Sequence, residues 1–163
     1  NNMEGSCTLV LGNTWRNVLA RLACLGIFLI FFLKPNFELI KLDGDSMSPT
    51  ILDGEVILVY TAAYRYDTPC VGDIIIIRDH HTGEKLIKRI IGKPGDVIGM
   101  YDGYITVNNV IVNPELGRTF DYGFMDITHI LEPDYFFYIG DNRFDSVFGK
   151  VSRIEIRGKI LLR

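Results

Sequence analysis

A serine hydroxyl attacks a carbonyl only when a neighbouring base takes its proton, so any chemistry in this sequence turns on finding such a pair. The segment Leu42-Asp43-Gly44-Asp45-Ser46-Met47-Ser48-Pro49-Thr50 is a polar turn that follows a strand-like run and leads through Asp53-Gly54 into the next strand. Gly44 lets the backbone approach another chain closely, and Pro49 restricts the conformation just after Ser46, so the hydroxyl of Ser46 is held at a fixed angle. A serine so placed is either a plain turn residue or a nucleophile, and the presence of a base separates the two. Of the three histidines, His80 and His81 are adjacent near a strand end and point to opposite sides, while His129 lies in a polar connection. Their spacing suits neither a Ser-His arrangement nor a metal ion.

The segment Lys85-Leu86-Ile87-Lys88-Arg89-Ile90-Ile91 supplies another candidate. On a strand, Leu86, Lys88 and Ile90 share one face, and Lys85, Ile87, Arg89 and Ile91 share the other. Lys88 is the odd polar residue among apolar ones. Burial penalises an ammonium and can lower a lysine pKa by up to about 3 to 5 units, leaving a neutral amine able to accept a serine proton. The same pattern fits a lysine that snorkels at the rim of a sheet. Lys85 and Arg89 read as solvated. Ser46 and Lys88 are distant in sequence, but both adjoin strand ends, so a folded sheet can bring them within hydrogen-bond reach.

The elements that would position them are strands. Beyond Phe37, β-branched and aromatic runs at residues 55–60, 73–78, 85–91, 105–107, 110–112, 135–139 and 154–162 are separated by turn residues. Asp102-Gly103 and Asn108-Asn109 sit between such runs and suit the positive φ angles of tight hairpins, which implies an antiparallel meander. No segment after residue 37 has sustained 3.6-residue periodicity, and no internal repeat is present. The expected fold is mainly β, an antiparallel sheet domain preceded by one N-terminal transmembrane helix.

That helix rests on residues 22–33, LACLGIFLIFFL, which carry no charge. Twelve residues fall short of the roughly 20 needed to span a bilayer core of about 30 Å. Extension through Val18, Leu19 and Ala20 crosses Arg21, whose stem can lie along the apolar surface with its head at the interface, giving a short, locally thinned span. A cleaved secretory signal would share the basic start at Arg16 and Arg21, but Lys34-Pro35-Asn36-Phe37 offers no pair of small residues for cleavage. A buried core helix would show a polar face, and none is present. Arg16 and Arg21 outweigh Lys34 and put the N-terminus in the cytosol. The expected division is therefore 1–17 as a cytosolic segment, 18–33 as the anchor and 34–163 as the extracytosolic domain.

Composition narrows the partners. The 163 residues are 48% hydrophobic and 23% charged, which excludes a disordered chain. A net charge of −3 gives no pull toward phosphate backbones, so nucleic acid is not an expected partner. Cys7, Cys24 and Cys70 lack a C-x-x-C spacing, and Cys70 would stand alone outside the membrane, so neither a zinc site nor a disulfide in the outer domain is expected.

The ordered series Gly44-Asp45-Ser46-Met47-Ser48-Pro49-Thr50, then Lys88-Arg89-Ile90-Ile91-Gly92-Lys93-Pro94-Gly95-Asp96, then Gly140-Asp141-Asn142-Arg143, behind a membrane segment, resembles the motif series of type I signal peptidases. The resemblance covers residues 18 to 163. It implies Ser46 as nucleophile, Lys88 as general base, no cofactor or metal, and a β-rich domain on the outer membrane face that cuts signal-peptide-bearing preproteins after small residues. It also implies that Asp141 and Arg143 form an ion pair that, with Gly140, stabilises their loop. Many family members carry a serine two positions before the nucleophile that helps the oxyanion hole; Gly44 stands there, which leaves more of that role to the Ser46 N–H. The last family motif usually reads GDNR-x-x-S-x-D-S-R, whereas this chain has Gly140-Asp141-Asn142-Arg143-Phe144-Asp145-Ser146-Val147-Phe148. Aligned without a gap, Ser146 takes the place of the serine that orients the lysine, and Asp145 is the alternative match for the later aspartate. Met47, Leu86 and Ile87 flank the catalytic positions and are expected to line shallow apolar pockets. Twelve residues between Leu33 and Ser46 would keep the nucleophile near the bilayer surface. Two rivals share the chemistry: a conjugative pilin-maturing peptidase, and a self-cleaving repressor-type peptidase, which would need a DNA-binding front domain. A third is a catalytically silent, membrane-tethered assembly or binding protein.

Overall fold

A computed structural model of the chain describes residues 7–33, 36–78, 83–119 and 128–161, with helix side chains described from 14 to 31. His80, His81, Lys34-Pro35 and the side chain of Cys7 lie outside the described residues. Contacts divide the chain into two units, Asn1–Asn36 and Phe37–Arg163.

The first unit is a single helix, α1 (Cys7–Leu33), of 27 residues. At 1.5 Å per residue it is about 40 Å long. Its apolar window, Thr14–Phe31, has a mean hydropathy of 1.4 and no buried residues, so the helix is long and apolar enough to cross a membrane. It starts eleven residues before the expected anchor, because Leu9, Val10, Leu11 and Trp15 continue its apolar character past Arg16.

The second unit holds two antiparallel sheets. The larger takes its strands in the order β1 (Phe37–Lys41), β2 (Val56–Tyr60), β11 (Ile156–Leu161), β3 (Ile74–Arg78), β4 (Lys85–Gly92), β9 (Tyr135–Ile139) and β10 (Phe148–Ser152). The smaller takes β7 (Val110–Ile111), β6 (Tyr104–Val107), β5 (Val97–Tyr101) and β8 (His129–Ile130). The β5–β6 and β6–β7 hairpins turn on the residues whose composition suits positive φ: Asp102 and Gly103 at +48° and +78°, Asn108 and Asn109 at +52° and +66°.

Burial follows the strand periodicity. Ile74, Ile76 and Ile87 join Leu42, Met47, Ile51, Ile57, Val59 and Ile160 in one buried cluster, while Ile75, Ile77 and Ile90 join Phe136, Val151 and Ile156 in another. The four consecutive isoleucines of β3 are thus covered on both faces, which is why that strand is a continuous apolar run. A third cluster, Ile91, Ile98, Ile105, Leu131 and Ile139, packs the small sheet on the ends of β4 and β9.

The large sheet is rolled. Four strand spacings separate β1 from β4, about 19 Å if flat. Yet Glu38 on β1 pairs with Lys85 on β4 at 2.7 Å, a gap the two side chains could not bridge across a flat sheet. The roll carries the turn after β1 onto β4.

Two differences from the sequence pattern have local causes. The single run expected at 154–162 begins instead with a 3-10 turn, Arg153–Glu155, held by a capping box between Ser152 and Glu155. β10 and β8 escape the strand pattern because each is an edge strand, and β10 contains Gly149, Lys150 and Ser152.

Gly158 of β11 is a sensitive point of this packing. A Cβ there would come within 2.8 Å of Val59 Cγ1 and 2.9 Å of the Tyr60 carbonyl oxygen, and backbone cannot yield as a side-chain tip can. Gly158→Ala is expected to destabilise the second unit by about 1–3 kcal/mol, read as a lower urea midpoint of the detergent-solubilised chain. An unchanged midpoint would show that β11 shifts freely against β2.

Candidate active site

The serine turn is built by the chain entering the core immediately after β1. Met47 and Ile51 are fully buried and anchor it, and it is closed by Ser48 N–H donating to Asp45 O at 2.9 Å and Ile51 N–H donating to Met47 O at 3.0 Å. Ser46, between the exposed Asp45 and the buried Met47, keeps its side chain partly open. Gly44 is required for a reason other than close approach: its φ is +99°, and a Cβ there would meet open space.

Lys88 lies on β4 opposite the fully buried Ile75 and is 3% exposed, so it is a sheltered amine and not a rim lysine. Its Nζ stands 2.7 Å from Ser46 Oγ and donates to the carbonyl of Ile87 at 3.0 Å. Burial pulls its pKa down to about 8, against the opposing attraction of the Asp145 carboxylate. A serine hydroxyl and a primary amine with a depressed pKa, in hydrogen-bond contact, can pass a proton between them near neutral pH.

The segment after β9 holds these two parts together. The pairing of Arg89 with Ile139 brings the residues just past Ile139 against the strand that carries Lys88. Gly140 must be glycine, since a Cβ would overlap the Ser46 carbonyl and the Ser146 hydroxyl. Asp141 is 1% exposed and accepts a two-pronged grip from Arg89, Nε to Oδ1 at 2.8 Å and Nη2 to Oδ2 at 2.6 Å, with Thr50 Oγ1 donating to Oδ2 at 2.5 Å. Burial alone would raise its pKa; the hydrogen bonds from Arg89 and Thr50 and the charges of Arg89 and Arg143 outweigh it and hold the carboxyl below its ordinary value. Asn142 adds two contacts to the serine turn, N–H to Ser46 O at 3.1 Å and Nδ2 to Asp45 O at 3.2 Å.

Arg89 is therefore not the solvated residue its strand position suggests. It also replaces Arg143 as the ion-pair partner of Asp141 among the described residues, because strand pairing delivers Arg89 to the start of the turn. Arg143 is 3% exposed, and its Nη2 has no hydrogen-bond partner among the described residues.

The remaining sequence candidates fall in different places. Ser146 adjoins Gly140, but its hydroxyl donates to the Val147 carbonyl at 3.1 Å, whereas the amine of Lys88 is engaged with Ser46 and Ile87. Met47 and Ile87, expected at pocket walls, are instead sealed into the same core cluster at 0% and 6% exposure. Leu86 shares the face of Ile75 and Ile90 and is half-buried. Spacing does not single out Thr50, Arg89 and Asn142 as site residues, since their partners are up to 97 positions away. The signals that reach them are the adjacency of Arg89 to Lys88 and the motif series, which contains all three.

Removing the carboxylate would leave Arg89 half-buried without its partner and untie the serine turn. Asp141→Ala is expected to cost about 3 kcal/mol or more in denaturant unfolding. A loss under about 1 kcal/mol would mean that the clamp is a surface ion pair in its energetics.

The sequence signature described as signal peptidase, peptidase S26, matches residues 14–163. Signal peptidase I U of Bacillus subtilis (strain 168) is 32% identical over 126 residues, covering 72% of this chain and 65% of that protein, just under two thirds of its length. Signal peptidase I V of the same strain is 33% identical over 139 residues, covering 74% of this chain and 81% of the relative. A crystal structure of a signal peptidase I from Enterococcus faecalis V583 aligns with a TM-score of 0.46 and 23% identity over 58% of this chain and 98% of that one. With the match running through the serine turn, the lysine strand and the segment after β9, this chain belongs to the S26 family of signal peptidases.

Proposed function

We propose that this chain is a membrane-anchored serine endopeptidase that removes signal peptides from preproteins, with Ser46 as nucleophile and Lys88 as general base. The observation that carries the reading is the 2.7 Å contact between Ser46 Oγ and an amine that is almost wholly buried. Neutral Lys88 takes the Ser46 proton as the oxygen attacks the scissile carbonyl, and the resulting ammonium returns a proton to the departing amine. The acyl-enzyme is then hydrolysed by a water that gives its proton to the regenerated amine. The tetrahedral oxyanion is assigned to the Ser46 N–H, a type of donor worth roughly 3–4 kcal/mol in acyl transfer.

Substrate would lie as an added strand. β4 pairs with β9 only from Arg89 onward, so residues 85–88 are paired with β3 alone among the described residues. That open edge runs directly to Lys88, and main-chain bonding along it favours an extended peptide. Leu86, on the face of the amine and half-buried, is the pocket residue this arrangement supports; Met47 and Ile87 belong to the separate core cluster on the other face of β4. Ser146 is retained as a supporting group that could turn from Val147 toward the amine. α1 would be the single-pass anchor, with the N-terminus in the cytosol and residues beyond 34 outside it, in keeping with the arginines at its start.

Ser46→Ala and Lys88→Ala are each expected to lower cleavage of a preprotein by about 10³-fold or more, measured on detergent-solubilised chain. Substantial cutting by either variant would overturn the dyad. Because only the neutral amine accepts a proton, kcat/KM should rise about tenfold per pH unit below the lysine pKa and level off above about 8. A profile already flat from pH 6 would contradict Lys88 as the base.

A further inference from the structure

We infer that Thr50 is a positioning residue of this reaction: its hydroxyl, donated to Asp141, fixes the serine turn to the strand that carries the base. The inference rests on the dyad reading and adds a residue to it. Five links close a ring. Ser46 is joined through its own turn to Thr50, Thr50 Oγ1 donates to Asp141 Oδ2 at 2.5 Å, Asp141 is gripped by Nε and Nη2 of Arg89, and Arg89 is covalently next to Lys88, whose amine returns to Ser46. Three of these links are non-covalent, Thr50 to Asp141, Asp141 to Arg89 and Lys88 to Ser46, so loosening one changes the distance the others can hold.

The Thr50 bond is the stronger of the ties between the turn and the segment after β9. Its acceptor is an ionised carboxylate that is 1% exposed, whereas the Asn142 contacts to Ser46 and Asp45 are neutral and longer, at 3.1 and 3.2 Å. Without the hydroxyl, Asp141 stays paired with Arg89, so the loop keeps its charge balance while the serine turn loses its one charge-assisted tie to that loop and keeps only the longer Asn142 contacts. The effect should therefore appear in the chemical step, since a shift of about 1 Å in a reacting group can cost on the order of 10²-fold in rate. Thr50 also lines a surface hollow with Leu39, Val56 and Leu58, so its methyl has packing of its own, and the two roles must be separated.

Thr50→Val keeps the shape and removes the hydroxyl; Thr50→Ser keeps the hydroxyl and removes the methyl. On the full chain in detergent, Thr50→Val is expected to lower kcat about 10- to 100-fold with KM within about twofold of wild type. Thr50→Ser should stay within about threefold of wild type in kcat. Wild-type kcat in Thr50→Val, or equal losses in the Val and Ser variants, would overturn the inference. Ser46→Ala run in parallel separates the two layers: if it is inactive while Thr50→Val is fully active, only the role of Thr50 falls, and if it is active, the dyad falls and Thr50 with it.

Discussion

The site depends on one buried carboxylate. Asp141 follows the strand that pairs with the strand carrying Lys88, and its two oxygens hold Arg89 and Thr50 at once, one beside Lys88 and the other four residues past Ser46. An ionised group at 1% exposure is tolerated only because its acceptor sites are filled by a planar guanidinium and a hydroxyl. The arrangement converts an electrostatic requirement into a geometric one. Wherever Asp141 finds its partners, the serine turn and the lysine strand must lie together.

Hydrophobic packing does the complementary work. Met47 and Ile51 pull the serine turn into the cluster that includes Ile74, Ile76 and Ile87, so the turn is anchored from below by the same β-strands that carry Lys88. Ile75 on the neighbouring strand covers the amine on its own face. Desolvation there exceeds the attraction of Asp145, which is why the amine can be neutral near physiological pH.

Much of this was legible in residue order. Period-two alternation through residues 85–91 isolates Lys88 as a polar residue on an apolar face, and the Asp-Gly and Asn-Asn pairs mark two hairpins whose φ angles require such residues. What alternation could not supply was the partner of each polar group. Arg89 shares its face with Lys85, and nothing local distinguishes a residue destined for water from one destined for a carboxylate 52 positions away. Likewise, Met47 sits beside Ser46 in sequence but points into the core, because adjacent residues in a turn can face opposite environments. The edge strands β8 and β10 escaped for a related reason: a strand bonded on one side need bury little, so its composition resembles that of a loop.

The claim on which the rest stands is that the amine of Lys88 is uncharged at working pH while it touches Ser46. It is tested most directly by an NMR titration of the chain carrying carbon-13 at the lysine ε position, with the Lys88 signal assigned by its loss in Lys88→Arg. A midpoint near 8 is the result the structure predicts. A midpoint near the ordinary lysine value of 10.5 would mean that the amine remains an ammonium and cannot be the base.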